Sequence, residues 1–252
     1  MHQHFYARSP MSFMLANSPR FDEPNYTRDA TAVLREFGGH VDVQPPLPHL
    51  FEPVNQPVVS DPRSEPLVKV EHTRIRVLDN YFHAGWSTAI SGAWLRTEAT
   101  QRLKQVAESL PPRWGLAIFD AWRPLDLQAE LYTAAYSNPG LPEGFVAFPD
   151  PDPLRPPPHL TGGTVDLTLT FDGTPLALGT GFDGFTEAAE FAALENEPSP
   201  ERELRRWLYR LMTAQGFAAM TFEWWHFEFG TRRWAGIYGC QPLYGPAQLP
   251  QS

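Results

Sequence analysis

Two short stretches of this chain hold residues able to grip a divalent cation. His159 and Asp166 lie in Pro-Pro-His159-Leu-Thr-Gly162-Gly163-Thr-Val-Asp166, and a later run reads Glu223-Trp-Trp-His226. Two neutral imidazoles and one carboxylate make three zinc ligands, with the fourth tetrahedral position left to water, whereas four protein ligands make a closed structural site. Glu223, three residues before the second imidazole, stands where it can handle the proton of that water. The chemistry implied is hydrolysis at one Zn2+ per chain. Each pattern alone has a plainer reading. His159 and Asp166 also suit a surface loop and a carboxylate satisfied by threonines, and Glu223 also suits a charged residue at the mouth of an aromatic core strand.

Two further side chains have the right chemistry. Arg123, in Asp120-Ala-Trp-Arg123-Pro124, follows a strand-like run, where a guanidinium can hold a carboxylate or a developing oxyanion. Its alternative is a solvent-facing partner for Asp120 or Asp126. Asp183 sits in Leu178-Gly-Thr-Gly-Phe-Asp183-Gly, where its carboxylate suits either a substrate ammonium or a helix cap.

The elements that must position these residues are legible from periodicity. Helices are expected over residues 26–37, over Thr97 to Leu110 with Thr97 as cap, after Pro124, and over Glu201 to Gln215. Strands are expected over Thr73–Leu78, Trp114–Phe119, Thr164–Thr170 and Phe222–Phe229. In the third, Val165, Leu167, Leu169 and Phe171 face a core, and Thr164, Asp166, Thr168 and Thr170 face the polar side. Asp172-Gly173 then marks a hairpin turn. Residues three apart on a regular strand point to opposite faces. For Glu223 and His226 to share a site, the chain must therefore bulge or twist, or Glu223 must precede the strand. The order of elements predicts an α+β fold, a mostly antiparallel sheet covered by helices.

Composition narrows the function. Of 252 residues, 42% are hydrophobic, and the formal charge of -9 argues against a nucleic-acid or anionic-membrane surface. The lone Cys240 excludes an intrachain disulfide and reads as a small packing residue. No stretch reaches the ~18 apolar residues of a membrane helix, and the apolar piece Met11–Ala16 is too short for an export signal. A cytoplasmic location follows as an expectation. Prolines crowd residues 40–66, which excludes long helices and central strands there. We read 1–72 as a Pro-rich N-terminal extension and 73–252 as the zinc-site domain.

Taken in order, Phe119-Asp-Ala-Trp-Arg123-Pro, His159-x-x-Gly162-x-x-x-Asp166-Leu-Thr-Leu, Leu178-Gly-Thr-x-Phe-Asp183 and Glu223-Trp-Trp-His226 resemble the VanX-like D-alanyl-D-alanine dipeptidases of the M15 zinc peptidase family. The resemblance runs over about residues 73–240. It implies the M15/hedgehog-like peptidase fold, with zinc on His159, Asp166 and His226. It implies Glu223 as general base, Arg123 as transition-state stabiliser and Asp183 as holder of the substrate amino terminus. The substrate it implies is D-alanyl-D-alanine or a similar small dipeptide. Two other functions fit the same residues: a carboxypeptidase or endopeptidase acting on peptidoglycan stems, and a zinc-bearing binding module without turnover. The family pattern has Ser two residues before the first ligand histidine; here Pro157 stands in its place.

Overall fold

The computed structural model describes residues 21, 26–137, 141 and 144–250. The Met11–Ala16 piece and the first residues of the extension lie outside them. In chain order the elements are β1 (Arg28–Asp29), α1 (Ala30–Glu36), β2 (Leu67–Lys69), β3 (Ile75–Val77), α2 (Asn80–Ala84), β4 (Trp94–Arg96), α3 (Thr97–Ser109), β5 (Trp114–Asp120), α4 (Leu125–Tyr136), β6 (Thr164–Phe171), β7 (Thr174–Ala177), α5 (Pro200–Ala214), β8 (Ala218–Ala219), β9 (His226–Glu228) and α6 (Arg232–Tyr238). The main sheet runs β1-β7-β6-β5-β3, with β9 also paired to β6 and β8 to β9. Its pairs are antiparallel except β1 with β7 and β3 with β5. β2 and β4 form a separate antiparallel pair.

The helix on the sheet is α5. Ser199 caps it by accepting from the Arg202 amide, and Pro200 opens its first turn, where a missing N–H costs nothing. Leu204, Leu208 and Met212 are fully buried, and α5 packs on β6 between α1 and α3. The β6–β7 hairpin turns through Asp172 and Gly173, both at positive φ (47° and 74°), the conformation a two-residue hairpin demands.

Several expectations need correction. The first helix is shorter than residues 26–37, because Arg28 and Asp29 pair with β7 and Asp29 caps α1 through the Ala32 amide. Thr97 is already inside α3; its hydroxyl donates to the Pro66 carbonyl, and the cap position belongs to Arg96. The polar side of β6 is not solvent-facing. All eight residues of the strand are buried, because Arg123 and His159 close over Asp166 and Thr168 donates to the Leu176 carbonyl. The strand expected over Phe222–Phe229 is only His226–Glu228, since Trp224 and Trp225 are spent in a turn. Cys240 is exposed rather than packed.

The proline-rich segment carries no helix or strand over residues 39–66. Proline has no N–H to give, so what remains to be satisfied is largely carbonyl oxygen. Arginines supply the donors: Arg206 to Gln44, Arg210 to Pro45 and Pro46, and Arg232 to Gln56 and Pro57. The segment is thereby laid along the body of the chain.

Candidate metal centre and cavity

Three neighbouring strands supply one row of polar residues. Asp120 on β5 is paired with Asp166 on β6, which is paired with His226 on β9. His159 joins this row from a 3-10 turn, His159–Thr161, that follows the Pro156-Pro157-Pro158 run. Gly162 leaves that turn at φ 73°, a left-handed conformation that favours glycine. Gly163 lets β6 start close against β9, since a Cβ there would run into the Phe229 carbonyl.

The two imidazoles and the carboxylate converge. Asp166 Oδ2 lies 3.3 Å from His159 Nε2, and Oδ1 lies 3.0 Å from His226 Nδ1. Ligand atoms of all three fall within 4.8 Å of one another, and all three residues are buried. The outer nitrogens fix the tautomers. His159 Nδ1 is 2.6 Å from the Ala121 carbonyl, an acceptor only, so that nitrogen carries the proton. His226 Nε2 is 3.0 Å from Glu228 Oε1 and donates in the same way. Two lone pairs are left facing the buried Asp166 carboxylate, whose Oδ1 has no donor as long as the His226 Nδ1 beside it carries no proton. Three acceptors with no proton between them are a donor set that could hold a cation, with each histidine braced from behind. The electrostatics agree. Burial opposes charge on His226, yet Asp166 and Glu228 raise it to about 10, so without a cation the site takes up a proton in its stead. Asp166 is held well below the carboxylate range by the two histidines, against the pull of burial.

Glu223 reaches the centre because it precedes the strand. Residues 223–226 turn, with the His226 amide 3.3 Å from the Glu223 carbonyl, and Glu223 Oε2 ends 3.7 Å from His226 Nδ1. The turn is pinned from three sides: Trp224 N–H to the Ala189 carbonyl, its indole to Thr180, and Leu167 N–H to the Trp225 carbonyl. Burial, opposed by His226 and reinforced by the Asp166 charge, pushes the Glu223 carboxyl up to about 7.

Arg123 is buried, not solvent-facing. It donates to Asp120 at 2.9 Å, to Gln128 at 2.9 Å and to the Tyr81 hydroxyl at 3.4 Å, and its guanidinium comes within 3.8 Å of Asp166. Asp183, at φ 55°, accepts a 2.7 Å hydrogen bond from Tyr81; it caps no helix among the described residues. Burial, and next the charge of Glu223, hold its carboxyl well above its ordinary range. Its loop is tied down by Arg205 of α5, which spends its guanidinium on the carbonyls of Leu178, Ala188 and Glu190.

His159, Asp166, His226, Glu223, Arg123 and Asp183 therefore all line one cavity of about 450 Å³. The sequence reading missed Tyr81, Gln128, Glu228, Arg233 and Glu52, which line it too. Glu228 had a signal: two residues after His226 on a strand, it shares that residue's face. Gln128 and Arg233 lie five residues after Arg123 and Glu228 but in no readable pattern with them, and Tyr81 and Glu52 arrive from distant segments.

Comparison with known proteins points one way. The family profile described as D-ala-D-ala dipeptidase, for the M15 peptidases, matches residues 97–242. A D-alanyl-D-alanine dipeptidase of Synechocystis sp. is 29% identical over 182 residues, covering 57% of this chain and 72% of that protein. A D-alanyl-D-alanine dipeptidase of Escherichia coli is 35% identical over 118 residues, covering 45% of this chain and 54% of that protein.

Proposed function

The chain belongs to the M15 peptidase family, and from that premise we propose that it is a zinc-dependent dipeptidase hydrolysing D-alanyl-D-alanine or a similar small dipeptide. The observation that carries this reading is the convergence of two tautomer-fixed imidazoles and one carboxylate in one cavity with Glu223, Arg123 and Asp183. Nitrogen and oxygen donors, three in number, suit zinc with an open position. Residues 73–252 are the proposed catalytic unit, and 1–72 an N-terminal extension that is built into it, since β1 pairs with β7, α1 packs on α5 and β2 pairs with β4.

His159 through Nε2, Asp166, and His226 through Nδ1 would hold the metal. The Lewis acidity of a bound zinc would polarise the scissile carbonyl and make the attacking water more acidic. Glu223 takes the proton of that water and returns it to the leaving amine. Its elevated pKa suits a group that must both accept and give a proton near neutrality. Arg123, held by Asp120 and Gln128, needs no reorganisation to meet negative charge developing on the carbonyl oxygen. Asp183 receives the substrate ammonium, the counter-charge that its buried carboxyl lacks.

The test is the metal content of purified protein together with turnover of free D-Ala-D-Ala against a stem pentapeptide. Zinc near one per chain with hydrolysis of the dipeptide alone is the expected result. Preference for the pentapeptide would replace the dipeptidase reading with the carboxypeptidase one, and a metal-free active enzyme would overturn the zinc site.

A further inference from the structure

The proline-rich extension contributes a side chain that the metal centre does not need to be near in sequence. Glu52 spends both carboxylate oxygens inward. It accepts from Arg233 Nε at 2.6 Å and from a terminal guanidinium nitrogen at 2.8 Å. The amide and hydroxyl of Thr221 add bonds of 2.9 Å and 2.7 Å. Arg233 is buried, donates to the Ala219 carbonyl at 2.6 Å, and places its remaining nitrogen 3.6 Å from Glu228 Oε1. That oxygen is the one that braces His226, and the other oxygen of Glu228 is held by the Thr231 hydroxyl. Glu228 is fully buried, so its charge needs the guanidinium, and the guanidinium in turn is oriented by the carboxylate of Glu52.

We propose that Glu52 is a positioning residue of the metal centre: it aims Arg233 at Glu228, and through Glu228 it fixes His226 with Nδ1 toward the cation. The proline-rich segment is then part of the catalytic apparatus rather than an appendage. Glu52 lies outside the residues that the family profile matches. The inference rests on the metal-site reading above, and its test separates the two.

The experiment compares full-length wild type, Glu52→Gln, Glu52→Ala and Arg210→Ala, each confirmed folded by circular dichroism. Zinc affinity is measured by competition with a chromogenic chelator, and cobalt is then substituted and its absorption spectrum recorded. Arg210 holds the same segment through the Pro45 and Pro46 carbonyls, away from the relay. Weakening of zinc binding by about tenfold in both Glu52 variants, at the low end for outer groups behind a ligand, with an altered cobalt spectrum and an unchanged Arg210→Ala, is the expected outcome. Arg233→Lys, which removes the bidentate fork, should be non-additive with Glu52→Gln in the same assay. Wild-type affinity in the Glu52 variants, or an equal loss in Arg210→Ala, overturns the inference while leaving the metal site intact. Failure of wild type to bind zinc overturns the metal-site reading itself.

Discussion

Tyr81 and Asp183 are joined by a buried hydrogen bond of 2.7 Å, and the same hydroxyl accepts from Arg123. One phenol thus ties the residue proposed to hold the substrate amino group to the residue proposed to meet the oxyanion. We predict that Tyr81→Phe lowers kcat/KM for a free dipeptide by about tenfold, the scale of one hydrogen bond to a charged group. A dipeptide with an acetylated amino terminus should lose far less. Equal losses for both substrates would place the effect of Tyr81 on Arg123 rather than on amino-group recognition through Asp183.

Glu223 gives a pH prediction. Its carboxyl, raised mainly by burial to about 7, would serve as the proposed base only when ionised, so turnover should fall as pH drops through that midpoint. A bound cation favours the ionised form, which moves the limb to or below about 7. Glu223→Gln should keep its metal and lose about 10² to 10⁴ in kcat. Near-normal turnover in that variant would remove Glu223 from the proton transfer.

Metal uptake should release a proton. Asp166 and Glu228 raise His226 to about 10 against the effect of burial, so at neutral pH the metal-free imidazole is protonated and must surrender that proton to become a ligand. Calorimetry of zinc binding in buffers of differing ionisation enthalpy should report at least one proton per metal at pH 7, with a further fraction from Glu223. A buffer-independent enthalpy would show that His226 is not a ligand.

Glu228 predicts an acid-stability slope. Burial opposes its charge, but His226, Arg233 and Thr231 hold it down to about 2 from an ordinary 4.5. A carboxyl whose folded pKa is depressed contributes stability that is complete above about 4.5 and is lost as pH falls towards 2. Glu228→Gln should be less stable near neutrality and show a flatter decline over that acid range in denaturant titrations. A parallel slope would place the acid sensitivity elsewhere.

What could be read from the sequence follows from what is local. The Asp172-Gly173 hairpin, α5 and the core stripe of β6 depend on turn chemistry and on periods of two and 3.6, and they stand as expected. Asp120, Asp166 and His226 were found as types but not as a row, because strand adjacency is a long-range property. Trp224 and Trp225 looked like strand residues since aromatics favour sheets. Their rings are instead buried in the turn before β9, where tertiary packing outweighs propensity. Glu52 carries no local sign of its role, because its partners Arg233 and Thr221 lie roughly 170–180 residues away.

With the metal site as proposed, the Asp120–Asp166–His226 row makes metal uptake a gauge of chain assembly. Slippage of β9 by a single place along β6 would set Val165 or Leu167 opposite His226 and turn the imidazole to the wrong side. A mispaired molecule would keep its helices and most of its sheet yet lose the ability to chelate. Zinc titre per mole of protein would therefore count correctly registered molecules in a preparation, a distinction that far-ultraviolet spectra would pass over.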